Sequence, residues 1–285
     1  MSTLEESRRE FAEKIRVIAG LRSASLVHAL ATVPREEFLG PGPWLLTSPA
    51  LGGRYQRTPD DDPRRLYDNV LVALDADRNL NNGEPAALAR WLDALDLSPG
   101  DRLLHIGCGV GYYTAIAAAA TPGGSTVGVE LDPQLAERAR RNLGSWPRVS
   151  VVSGDGSEFA GDPFDAIFVN AGATEPLPRW LDQSRVGGRL LVPMTVDVPI
   201  SGLGGGHMLL IARQPGAYSA RFISPVGIYH CTGARTAEGG ELLKRSYLRG
   251  GEERVRSLRR DRHPSVPQCW LHAPRFCLSF LPVED

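Results

Sequence analysis

Apolar residues recur every three to four positions over residues 4–33, at Phe11, Ile15, Ile18, Leu26, Val27 and Leu30. That spacing predicts an amphipathic helical segment, which Pro34 ends. Residues 40–64 lose the periodicity and are rich in Gly, Pro and Asp, which predicts a loop. A mixed stretch, Leu66 to Leu74, leads to the polar run Arg78-Asn-Leu-Asn-Asn-Gly-Glu-Pro85. Residues 86–96 then read as an amphipathic helix, closed by Ser98-Pro99-Gly100.

From residue 101 the pattern changes to short apolar runs alternating with helical ones. Strands are expected at 102–106, 126–130, 149–153, 165–170 and 189–193, and helices at 112–120, 133–143 and 178–184. Such alternation implies a parallel sheet with helices on both faces. A further strand is expected at 208–212 and a helix at 238–248, before a Pro-rich end. Three parts are therefore expected: an N-terminal helical segment over 1–85, a core over 86–235 and a C-terminal extension over 236–285.

The strongest chemical signal is Leu103-Leu-His-Ile-Gly-Cys-Gly-Val-Gly-Tyr-Tyr113. An expected strand runs into Gly107-x-Gly109-x-Gly111 and an expected helix follows. Glycine lets the chain turn tightly there and lets a ligand lie against the backbone at a helix N-terminus. The next strand ends in Glu130, followed by Leu131. An acid at that place can accept hydrogen bonds from both ribose hydroxyls. A dinucleotide fingerprint would need glycine at position 112, which is Tyr112. The pattern is G-x-G-x-G, which favours S-adenosylmethionine over a nicotinamide dinucleotide. Ser153-Gly-Asp-Gly156 follows the third strand. Asp155 is placed to accept from an adenine amino group, or is a plain Asp-Gly turn.

Net charge is −1 and all but two cations are arginine, Lys14 and Lys244 being the exceptions. A balance near zero leaves no electrostatic footprint for nucleic acid. The arginines between 254 and 262 read as a solvated helix face. The four cysteines, 108, 231, 269 and 277, form no C-x-x-C pair, so no metal site is expected. His230 beside Cys231 is a single adjacency and makes neither a metal site nor a nucleophile. With no signal-peptide pattern and no apolar run of membrane-spanning length, a cytoplasmic setting without membrane attachment is expected.

Several segments together resemble the protein-L-isoaspartate O-methyltransferases, over roughly residues 15–235. They are Arg22-Ser-Ala-Ser-Leu-Val-His-Ala-Leu-Ala-Thr-Val-Pro-Arg-Glu-Glu-Phe38, the glycine loop, Val129-Glu130 and Gly154-Asp-Gly-Ser157. Phe164-Asp-Ala-Ile-Phe-Val-Asn-Ala-Gly-Ala173, Gly187-Gly-Arg-Leu-Leu-Val-Pro193 and Pro225-Val-Gly-Ile-Tyr229 complete the likeness. The resemblance implies a Rossmann-like class I methyltransferase fold with a mostly parallel seven-stranded sheet. It implies S-adenosylmethionine as methyl donor, held by Gly107, Gly109, Gly111, Glu130, Asp155 and Gly156, with His105, Leu131 and Asn170 beside them. The acceptor it implies is a peptide or protein carboxylate. A carboxylate is ionised at neutral pH, so positioning and water exclusion suffice.

Two positions depart from the family pattern. His105 stands where an acid is usual, either as a hydrogen-bonded residue at a strand end or as an altered contact with the donor's methionine part. Asn81-Asn-Gly-Glu-Pro85 stands where the family reads T-I-S-Q-P, so Gly83 replaces a serine. Asn81 and Asn82 offer amide donors for an acceptor oxygen, or form only a turn. The departures keep open a tailoring methyltransferase acting on a natural product or ribosomal peptide, including a small-molecule carboxylate. A non-catalytic S-adenosylmethionine-binding module is the alternative of another class.

Overall fold

The computed structural model describes residues 3–48, 54–199 and 202–283. In chain order the elements are α1 (Leu4–Ala19), α2 (Ala24–Thr32), α3 (Arg35–Leu39), β1 (Leu45–Thr47), β2 (Gln56–Arg57), β3 (Leu71–Asp75), β4 (Leu80–Asn81), α4 (Pro85–Ala94) and β5 (Arg102–Ile106). They continue with α5 (Tyr112–Ala120), β6 (Ser125–Glu130), α6 (Pro133–Leu143), β7 (Val149–Ser153), β8 (Phe164–Val169), α7 (Pro178–Gln183), β9 (Ser184–Asp197) and β10 (Leu203–Gln214). The chain closes with β11 (Ala217–Tyr229), α8 (Ala237–Arg249), β12 (Ser257–Arg259), β13 (Cys269–His272) and β14 (Cys277–Ser279).

These elements fall into two units. One comprises residues 1–101 and 108–153, the other residues 102–107 and 154–285. In the first unit α1 opens on a reciprocal cap. Thr3 Oγ1 accepts from the Glu6 N–H at 3.1 Å, and the Glu6 carboxylate accepts from the Thr3 N–H at 2.7 Å. The helical segment expected over 4–33 is made of two helices. Gly20 adopts the left-handed conformation (φ +66°) and ends α1, and the Ser23 side chain caps α2. The expected loop over 40–64 contains β1 and β2, with residues 49–53 outside the described residues. Strands β2-β1-β3-β4 form a small antiparallel sheet, and β6 pairs in parallel with β7.

The second unit carries eight strands in the order β13-β14-β12-β11-β10-β9-β8-β5. Its β5, β8 and β9 pair in parallel, whereas β9, β10 and β11 form an antiparallel meander. The expected count of seven strands therefore falls short. The C-terminal strands extend the sheet through antiparallel neighbours that the strand–helix alternation did not foreshadow. Trp180, Phe164 and Phe168 are fully buried here, each side chain stabilising the fold by ~1.5–3 kcal/mol.

The arginine-rich stretch is not a helix face. It forms a 3-10 turn at Glu252–Arg254 followed by β12, and Arg259 pairs with Asp261 at 2.6 Å. The tail aromatics pack inward. Tyr247 lies 5.3 Å from Trp270, and its hydroxyl donates to the Met194 carbonyl at 2.7 Å. Among the described residues no helix is long and apolar enough to cross a membrane.

Candidate donor and acceptor site

Strand β6 ends in Glu130, whose position is set by backbone donors. Its carboxylate accepts from the Gly109 N–H at 2.7 Å and from the Asp132 N–H at 3.0 Å. Glu130 is buried, and burial raises its pKa against the opposing pull of those N–H groups. A carboxylate has about four acceptor sites, so two bonds leave capacity for two hydroxyls. Leu131, beside it, is 51% exposed, an open apolar surface.

The glycines of the loop are needed for different reasons. Gly111 (φ +92°) caps α5, and a Cβ there would lie 2.7 Å from Leu143 Cδ1. Gly109 (φ +57°) is different, because a Cβ there would meet nothing within 4 Å. The backbone at Gly109 thus faces open space beside a buried acid. That is the arrangement expected of a cradle for a nucleoside's sugar. In the second unit a Cβ on Gly107 would press on the Asn170 carbonyl at 3.0 Å, and Asn170 Nδ2 donates to the Gly107 carbonyl at 3.3 Å. Asn170 therefore braces the start of the loop.

Asp155 lies in a turn in which its Oδ1 accepts from the Ser157 N–H at 2.8 Å. Its Oδ2 would be 2.4 Å from a Cβ on Gly233, so the 232–234 turn passes directly over it. Gly156 is dictated by packing, since a Cβ there would collide with Ile106 Cγ2 at 2.3 Å. His105 is 1% exposed and stacks on Phe168 with ring centroids 4.9 Å apart. Burial lowers its pKa to about 3, so the ring is neutral. Cys231 is buried, and burial pushes its thiol up to about 12, which rules it out as a nucleophile at neutral pH.

The acceptor-side segment belongs to the first unit. Asn81 Oδ1 accepts from the Gly83 N–H at 2.9 Å, an Asx turn, and its side chain also bonds Tyr55. Asn82 is 9% exposed; its N–H donates to the Val72 carbonyl at 2.9 Å, while its side-chain Nδ2 is buried with no hydrogen-bond partner. A buried amide left open is costly unless a ligand completes it. Gly83 has φ +78°, and a Cβ there would lie 2.8 Å from Leu88 Cδ2. The backbone here thus requires glycine, and a serine at this position would bring more than a hydroxyl.

Two residues that the sequence reading did not single out hold this segment. Arg35, fully buried, donates to the carbonyls of Leu66 at 2.5 Å, Asp68 at 3.1 Å and Val70 at 2.8 Å. Asn69 donates to Glu84 at 2.6 Å and accepts from the Ala86 N–H at 2.8 Å, fixing the start of α4. Arg35 lies inside the V-P-R-E-E-F element, so the signal was present, but its three carbonyl partners are distant in sequence.

Comparison with known proteins agrees with this geometry. The family model for "Protein-L-isoaspartate(D-aspartate) O-methyltransferase (PCMT)" matches residues 59–199. A protein-L-isoaspartate O-methyltransferase of Aeropyrum pernix is 33% identical over 202 residues, covering 68% of this chain and 70% of the relative. One of Methylorubrum populi is 31% identical over 218 residues, covering 74% and 87%. A solved structure titled protein-L-isoaspartate O-methyltransferase superposes with a TM-score of 0.61 at 23% identity, covering 83% of this chain and 69% of its own. A putative enzyme of the same name from Plasmodium falciparum, in complex with S-adenosyl-L-homocysteine, gives 0.60 at 16% identity, covering 79% and 97%. At these identities the two structures establish the fold alone.

Proposed function

The chain belongs to the protein-L-isoaspartate O-methyltransferase family, and on that premise we propose that it methylates the side-chain carboxylate of an isoaspartyl-type residue in a peptide or protein. S-adenosylmethionine is the methyl donor. When bound, it supplies an electrophilic methyl group on a positively charged sulfur. The acceptor oxygen attacks the methyl carbon, and the electrons of the breaking C–S bond pass to sulfur. No proton needs removing from an ionised carboxylate, so the protein's work is alignment and exclusion of water.

The observation that carries the reading is the open backbone at Gly109 beside the buried Glu130. Gly107, Gly109 and Gly111 would bring the main chain close to the donor. Glu130 would take the ribose hydroxyls, with Leu131, Asp155 and Gly156 near the base. Asn170 would keep the loop braced, and His105, being neutral, would add no charge near the donor's methionine part. On the acceptor side, the unpartnered Asn82 amide is suited to an anionic oxygen, with Asn81 shaping the turn that presents it.

The test is incubation with methyl-labelled S-adenosylmethionine and a matched peptide pair, one isoaspartyl and one aspartyl. Base-labile label on the isoaspartyl peptide alone is the expected result. Label on neither peptide, with donor binding intact, would overturn the acceptor assignment.

A further inference from the structure

We propose that the C-terminal segment carries a tetrahedral Cys2His2 site for one zinc ion, built from His263, Cys269, His272 and Cys277. One ligand atom from each of the four lies within 4.8 Å of the other three. The His263 Nε2 is 3.5 Å from Cys269 Sγ, and the His272 Nδ1 is 3.9 Å from it. A tetrahedral zinc with Zn–N of ~2.0 Å and Zn–S of ~2.3 Å has ligand–ligand edges of roughly 3.3–3.8 Å. The four donors are therefore already at nearly the separations that one ion would impose.

The backbone explains the convergence. Cys269 and His272 open and close β13, and residues three apart on a regular strand face opposite sides of a sheet. Here Cys269 pairs with Ser279 and Leu271 with Leu278, so Trp270 is an extra residue in a bulge. The bulge shifts the alternation by one and turns Cys269 to the side of His272. Cys277, first residue of β14, is the register partner of His272. His263 arrives from the loop between β12 and β13.

The outer contacts also suit a metal. His263 Nδ1 is 3.0 Å from the Asp261 carbonyl, which requires the proton on Nδ1 and leaves the Nε2 lone pair facing the sulfur. A ligating histidine typically has its second nitrogen held in this way. The spacing H-x5-C-x2-H-x4-C escapes a search for paired C-x-x-C motifs. All four residues lie beyond the segment matched by the family model. The site's effect is structural: one ion ties the 260–268 loop to the terminal hairpin. Binding releases the two thiol protons and needs no redox partner.

The test is elemental analysis of the full-length protein, produced with zinc and purified in reductant without chelator. About one zinc per chain is expected, falling nearly to zero in Cys269→Ser and His272→Ala and unchanged in Cys231→Ser. Cobalt substitution of the wild-type chain should give tetrahedral d–d bands with thiolate-to-cobalt charge transfer, a readout that does not depend on variants folding. Zinc should also shield Cys269 and Cys277 from alkylation in the native protein. Wild-type protein with no more zinc than Cys269→Ser, an octahedral cobalt spectrum, or a Cys269–Cys277 disulfide that persists in reductant would each overturn the proposal.

Discussion

The donor-side loop at 107–111 and the acceptor-side turn at 81–83 are both built on glycine, and both precede a helix. They differ in what surrounds the missing side chain. At Gly109 the space is open, whereas at Gly83 it is filled by Leu88. The first glycine leaves room for a ligand; the second lets the protein pack against itself. On the proposed reading, the donor is recognised by backbone and one acid, whereas the acceptor is met by side chains on a turn.

The largest effect should come from Glu130→Ala. Two bonds to a charged acceptor contribute ~3 kcal/mol or more, so affinity for S-adenosylhomocysteine should weaken ~100-fold or more by calorimetric titration. Unchanged affinity would remove Glu130 from the donor side.

Next is the pH dependence set by His105. Its folded pKa is depressed from 6.5 to about 3, so its contribution to stability is full above 6.5 and is lost as pH falls below that value. The unfolded chain takes up a proton that the folded chain refuses, at up to ~1.4 kcal/mol per pH unit. Urea unfolding at several pH values should show this slope shrinking in His105→Phe. A slope that survives the substitution would mean that other groups produce it.

Gly83→Ser sharpens the contrast most directly, because it introduces the serine that the family resemblance leads one to expect there. We expect destabilisation by ~1–3 kcal/mol from the positive φ and the Leu88 overlap, with no gain in activity. A serine variant as stable as the parent and faster on an isoaspartyl peptide would show that the turn had lost only a hydroxyl. The smallest effect is Asn82→Ala, a loss of ~10-fold in kcat/KM, about one hydrogen bond, with donor affinity unchanged. Equal losses in donor binding would instead mark Asn82 as a general support of the fold.

Where local chemistry decides structure, the sequence was readable. Helix α5 begins on Gly111 and α6 on Asp132-Pro133, and both match their expected spans. Strand β7 does too. Strands β1 and β2 were missed because they are two or three residues long and pair across a gap, β1 with both β2 and the more distant β3. The break at Gly20 was missed because hydrophobic spacing resumes after it. The same division applies to the candidate site. The glycine spacing and Glu130 are local signals, whereas the steric reason for Gly83 and the open amide of Asn82 exist only once Leu88 and Val72 are folded beside them.

Arg35 gives the segment ahead of α4 a fixed root. A single planar guanidinium gathers the carbonyls of residues 66, 68 and 70, so that stretch can vary only in ways that leave three oxygens in place. Farther along, Arg78 pairs with Asp75 and with Asp132, and Asn69 binds Glu84 and the Ala86 N–H at the start of α4. Trimming the N-terminal helices to obtain a minimal catalytic core would therefore unfasten residues 66–70.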